Sequence, residues 1–141
     1  MMNAMRDVRI GTDHHHLQLT PLDPVDAPPQ SLIADLRLDG LVATVTVVHG
    51  YSSGFQDLAD FFEQHERDWR GWEGTREWNS LEGDLRIEAR HEYGHVQLRV
   101  TLRRSLADWG DDGWVAAGDL TIDPGEQLTR VAADLKSFAA G

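Results

Sequence analysis

From Leu32 to Leu38, and again from Leu41 to Val48, every second residue is apolar, and Asp39-Gly40 stands between the two runs. An Asp-Gly pair favours a two-residue type I′ turn, whose twist matches that of antiparallel strands, so the sequence predicts a hairpin. The turn dictates the register: Leu38 opposite Leu41, Leu36 opposite Ala43, Ala34 opposite Val45 and Leu32 opposite Val47, all on one face. The other face carries Asp35, Arg37, Thr44 and Thr46 with Ile33, Val42 and Val48, and is only partly polar.

The same alternation predicts a second hairpin. Leu85, Ile87 and Ala89, then Val96, Leu98, Val100 and Leu102, point inward about a turn at Glu92-Tyr93-Gly94. Val8 and Ile10, then Leu17 and Leu19, read as one interrupted strand or two short ones, and Trp114, Ala116, Leu120 and Ile122 as a last strand. Two stretches switch to the helical period. In the first, Ser53 is expected to cap and Gln56 to close a capping box. Phe55, Leu58, Phe62, His65 and Trp69 form its buried stripe, and Gly71 stops it. In the second, Asp123 caps, Pro124 takes the first position and Glu126 completes the box. Its stripe is Leu128, Val131, Ala132, Leu135, Phe138 and Ala139. Two one-sided helices and about five to seven one-sided strands predict a two-layer α+β fold, a mainly antiparallel sheet with both helices packed on one face.

At 141 residues the chain suits a single domain, 1–141. Residues 1–5 are expected to be a disordered tail and 105–113 an acidic solvated loop. Residues 21–30, holding four of the five prolines, read as an exposed connection. Cysteine is absent, which excludes disulfides, thiolate metal sites and a cysteine nucleophile. The formal net charge of −11 repels nucleic acid and anionic lipid and suits a basic partner. Twelve arginines against one lysine read as the coding bias of a GC-rich genome. The first residues lack an apolar signal-peptide core and no run is long enough to span a bilayer, so the expected location is the cytoplasm.

Three of the five tryptophans, Trp69, Trp72 and Trp78, fall between Asp68 and Leu85 with Gly71, Gly74 and Gly83 among them. Each indole buries about 150–250 Å² and needs a partner for its N–H, so the group reads as either the hub of the core or the wall of a recess. Arg70 and Arg76 interleave with the rings, where a guanidinium stacks for structure or for a ligand. Glu82 and Asp84, placed on one strand with His91, and His95 across the turn supply groups for acid, base or metal chemistry. The bland alternative is histidines that bond the backbone. His14 and His16 share one face if their segment is a strand, but no carboxylate completes a metal site. Asp108-Trp109-Gly110-Asp111-Asp112-Gly113 lacks the alternate ligand spacing and closing glutamate of a calcium loop. Arg86, Arg90, Arg99 and Arg103 form a basic stripe on the wet face of the second hairpin, a docking surface for anions unless Asp84 and Glu88 pair with them. Phosphate loops, nucleophile elbows and dinucleotide fingerprints are absent.

The Trp69-Arg70-Gly71-Trp72 and Ser80-Leu81-Glu82-Gly83 segments, with Gly94-His95-Val96, Leu98-Arg99-Val100 and Pro124 to Leu128, resemble an uncharacterised family of small proteins of high-GC actinobacteria, a domain of unknown function. The resemblance runs from about Leu38 onward and implies boundaries but no chemistry. Acidity, small size and missing catalytic motifs lead to a cytosolic protein-binding module, an immunity-type or regulatory inhibitor of a basic protein, with no cofactor or metal. The second reading is a small-ligand-binding domain or hydrolase using a recess of Trp69, Trp72 and Trp78 with Glu82 or His95. The binding residues expected across both readings are Trp69, Arg70, Trp72, Arg76, Trp78, Glu82, His95 and Arg99.

Overall fold

The structure, a computed structural model, describes residues 7–22, 28–49, 54–104 and 113–141. Strands β1 (Val8–Gly11), β2 (His16–Pro21), β3 (Ser31–Leu38) and β4 (Leu41–Val48) form one antiparallel meander in chain order. A second meander contains β5 (Arg76–Asn79), β6 (Leu85–Glu92), β7 (His95–Arg104) and β8 (Trp114–Ile122). Helix α1 (Gln56–Arg67) joins the two sheets, and α2 (Glu126–Ala140) packs on α1 and β1. The fold is α+β with antiparallel sheets. The expected single sheet of about five to seven strands is corrected, because the described residues form eight strands in two four-stranded sheets. The physical reason is the insertion of α1 and the tryptophan stretch between β4 and β5, which leaves each strand to pair with its neighbours within its own half.

The β3–β4 register is the one the Asp-Gly turn dictates, with Leu38 opposite Leu41 and Leu32 opposite Val47, and Gly40 at a φ of 80°. The two hairpin turns differ in type, however: at the β6–β7 turn Tyr93 and Gly94 both take positive φ, 54° and 75°, as a type I′ turn requires, whereas at Asp39-Gly40 only Gly40 does. The type I′ turn expected there is corrected while its register stands. Both sheets turn an apolar face inward: Leu32, Leu36 and Val47 on one and Ile87, Leu98, Val100 and Ile122 on the other are buried. Where β8 meets β3, a Cβ on Gly118 would collide with the Leu38 side chain, so the missing side chain permits the close approach of the sheets. The predicted stripe of α2 is buried in full.

Several local expectations are corrected. Helix α1 begins at Gln56 with Phe55 at its N-cap and no side-chain cap, and Gln56 donates to Asp60 at 3.0 Å instead of closing a box. Ser53 lies outside the described residues, as do residues 1–5 and 105–112. The helix ends at Arg67, before Trp69 and Gly71. At α2 the N-cap is Gly125 with no side-chain cap, and the helix starts at Glu126 rather than at Pro124, so the expected Asp123–Glu126 box does not form; Gln127 instead reaches back to Asp123. Its Oε1 accepts the Asp123 N–H at 2.9 Å while Asp123 Oδ1 accepts that of Gly125 at 2.9 Å. Pro21 ends β2 opposite Leu32 and Pro29 is buried, so the proline segment is not wholly an exposed connection. Among the described residues no helix is long and apolar enough to cross a membrane.

Candidate functional site

The three tryptophans of the central stretch have three different environments. Trp78 is buried in β5, edge-on to His49 at 5.0 Å, and belongs to the core. Trp72 is partly buried, stacked on His65 at 4.7 Å with the Arg76 guanidinium 4.3 Å from its ring centre. Trp69 is 48% exposed, with Arg70 5.1 Å from its ring. Its expected place at the end of the buried helix stripe is therefore wrong. The helix stops at Arg67, so the side chain four positions after His65 is no longer carried round to the apolar face. Of the three, only Trp69 lines either of the two grooves described below.

His65, Asp68, Trp72 and Arg76 form a cluster under this loop. Arg76 Nη2 donates to Asp68 Oδ2 at 2.7 Å and Nη1 donates to His65 Nδ1 at 3.3 Å. Because a guanidinium only donates, His65 holds its proton on Nε2, which has no partner among the described residues. Burial, then the Arg76 charge, push the His65 pKa down from 6.5 to about 4 against the pull of Asp68. The ring is neutral at ordinary pH. His91 Nε2 donates to the Trp69 carbonyl at 3.0 Å and its ring stands edge-on to Trp72 at 5.5 Å, tying the loop to β6.

Glu82 and His95 are not brought together. Glu82 sits in the turn before β6, as does Asp84, and neither is on the strand with His91. His95 is exposed at the far end of the hairpin, where Nδ1 donates to the Tyr93 carbonyl at 3.0 Å. The eight residues of β6 separate the two by roughly 20 Å or more, at about 3.4 Å per residue. A shared acid–base site is excluded by that distance. The histidine run behaves differently from a strand: His14 is exposed in a bend, and His16 is buried with Nδ1 2.8 Å from the Thr12 carbonyl. Among the described residues no three His, Asp or Glu side chains are grouped to hold a metal ion.

Three arginines of the basic stripe are paired with acids, Arg86 with the expected Glu88 at 3.5 Å and otherwise with acids not expected, while Arg103 donates to the Glu82 carbonyl at 3.5 Å. Arg99 clasps Asp119 with bonds of 2.8 and 2.9 Å, and this pairing holds the Asp119 carboxyl below its usual range. Arg86 donates to Glu77 at 3.0 Å, and Arg90 lies 3.7 Å from Glu92. An open groove of about 590 Å³ crosses this face, lined by Glu88, Arg90, Glu92, Tyr93, Arg99 and Asp119. A ligand there would have to displace ion pairs already made. A second groove, about 340 Å³, lies where Glu66 in the last turn of α1 and Trp69 just beyond it meet Pro124 and Gly125 just before α2 and Thr129 in its first turn.

One constellation was not anticipated. His49 is buried, its Nδ1 accepts the Leu81 N–H at 2.8 Å, and its Nε2 donates to Asp57 at 2.9 Å. A histidine oriented by a carboxylate suggests a general base, but here the other nitrogen is occupied by backbone. The pair instead anchors the Ser80–Gly83 turn, which Ser80 Oγ further fixes by accepting the Leu85 N–H at 3.1 Å. No signal in the sequence announces a bond between positions so far apart.

No curated protein and no solved structure matches this chain. A family model described as a family of unknown function, DUF6228, matches residues 8–141, nearly the whole chain, and the chain belongs to that family.

Proposed function

We propose that this chain is a cytosolic protein-binding module, of the immunity or regulatory-inhibitor kind, that holds a basic partner through Trp69 and the outer face of α1. The observation that carries the reading is the exposure of Trp69, 48%, beside a groove with Glu66 in its wall. Tryptophan is the residue type most enriched among those that dominate binding energy, and a cation laid on an indole is attracted by the ring while a carboxylate neutralises it. Asp57, Asp60 and Gln64 are exposed along the same helix, and Glu63 and Glu66 are half-exposed. The rest of the chain adds long-range attraction through its charge of −11. The second reading, a ligand recess of Trp69, Trp72 and Trp78 with Glu82 or His95, has less support, because Trp78 is buried in the core while Trp69 is exposed.

The test is capture from a native lysate at low salt by wild type and by Trp69→Ala, followed by association kinetics at two ionic strengths. The expected result is a basic protein retained by wild type, released by the substitution, and slower to associate as salt rises. A partner indifferent to Trp69 and to salt would overturn the reading.

A further inference from the structure

β4 is an outer strand of the first sheet. The pairing of Leu38 with Leu41 across a two-residue turn settles which backbone groups meet β3. Leu41, Ala43, Val45 and Val47 exchange hydrogen bonds with it, so Val42, Thr44, Thr46 and Val48 turn their N–H and C=O groups to the open edge. The bond from His49 N–H to the Gln30 carbonyl, 2.9 Å, continues the same alternation. All four outward residues are exposed, Val42 at 64% and Val48 at 50%.

Open edges are normally blunted by charge, proline or a bulge, because they pair readily with another strand. The other outer strands contain charged residues: Arg9 in β1, Arg76 and Glu77 in β5, and Asp119 in β8. Leu41–Val48 contains no charge, proline or glycine, in a chain whose net charge is −11. It also reads nearly the same in both directions about Val45, with Val42 matching Val48, Thr44 matching Thr46 and Ala43 set against Val47. A strand of that kind is complementary to itself.

We propose that β4 is the interface of a homodimer, in which a second copy of this chain pairs antiparallel across a two-fold axis at Val45. Val42 then lies opposite Val48 of the second copy and Thr44 opposite Thr46, each pair exchanging both of its outward hydrogen bonds. The two first sheets become one continuous sheet. Along the seam β-branched side chains meet their like, which favours cross-strand packing, and no charge faces a like charge. Asp35, the acid adjoining the seam, is already satisfied by the Thr44 hydroxyl at 3.2 Å and by Arg37 at 3.0 Å. This surface is separate from the Trp69 groove, so either proposal stands or fails alone.

The experiment is sedimentation equilibrium of the full chain over a range of concentrations, at low and high salt. The expected result is a dimer that tightens with salt, since two acidic bodies repel each other less when screened. Thr46→Pro removes an N–H that β3 does not use and is expected to leave a monomer with unchanged circular dichroism. If that variant fails to fold, Thr46→Lys, which alters only an exposed side chain, is expected to give the same loss. In a chain with no cysteine, an oxidised mixture of Thr44→Cys and Thr46→Cys proteins is expected to form a disulfide-linked dimer, and each protein alone is not. A wild type that stays monomeric at every concentration and salt would overturn the proposal. So would a dimer that survives both Thr46 variants, or cysteines that fail to cross-link as stated.

Discussion

His65 and Trp69, one helical turn apart in the sequence, show how a pattern is read correctly at one residue and wrongly at the next. His65 was legible as part of the apolar stripe, and it is buried. Its consequence for stability follows from linkage. In the unfolded chain the imidazole takes up a proton near 6.5, whereas in the folded chain it does not until about 4. A histidine with a lowered folded pKa leaves stability whole above 6.5, reduces it as pH falls from 6.5 to about 4, and changes nothing further below. The reduction from this one group is about 3 kcal/mol. Denaturant midpoints on either side of that window should fall much less in His65→Gln than in wild type, and equal falls would refute the assignment. Trp69 was illegible because the end of α1 depends on where Asp68 finds Arg76, a contact no period encodes. The stability expectation accordingly moves to Trp78. Trp78→Ala should cost about 3–5 kcal/mol, and Trp69→Ala should stay within about 0.5 kcal/mol of wild type. Equilibrium unfolding of the two variants decides it, and a larger loss at Trp69 would reverse the assignment of core and surface.

At the scale of elements, what the chain encodes locally was readable and what it encodes through distant contacts was not. The β3–β4 register follows from Asp39-Gly40 alone, and the stripe of α2 from its spacing, because hydrogen-bond geometry within a few residues determines both. The division into two sheets depends instead on how α1 and the tryptophan loop are anchored by His49, His91 and Arg76, each bonding across the fold. Helix starts illustrate the boundary between the two regimes. The expected Asp123 cap is displaced, since Pro124 and Gly125 form a turn before the first helical residue; Gly125 becomes the N-cap, and Asp123 bonds Gly125 and Gln127 just ahead of the helix. Asp123→Ala should therefore destabilise by about 1 kcal/mol, and Glu126→Ala by only a few tenths. Thermal or denaturant melts of both variants test this, and a greater effect at Glu126 would restore the originally expected box.

For the whole molecule the governing quantity is charge, and it acts with opposite sign on the two associations proposed. With −11 distributed over 141 residues, a basic partner is drawn in by the long-range field, whereas a second copy is pushed away until its uncharged β4 edge makes contact. At physiological ionic strength the field decays over about 8 Å, so added salt removes both the attraction and the repulsion while leaving short-range hydrogen bonds and packing in place. The partner's on-rate should therefore fall as salt rises, with its off-rate nearly constant, while self-association should strengthen under the same change. Measuring both in one buffer series separates the two surfaces without any substitution. If both associations weakened with salt, charge attraction would have to operate between copies as well, and an uncharged seam at β4 could not supply it. If neither changed, the acidic surface would be irrelevant to recognition, and the exposed indole of Trp69 would have to account for partner binding by apolar contact alone.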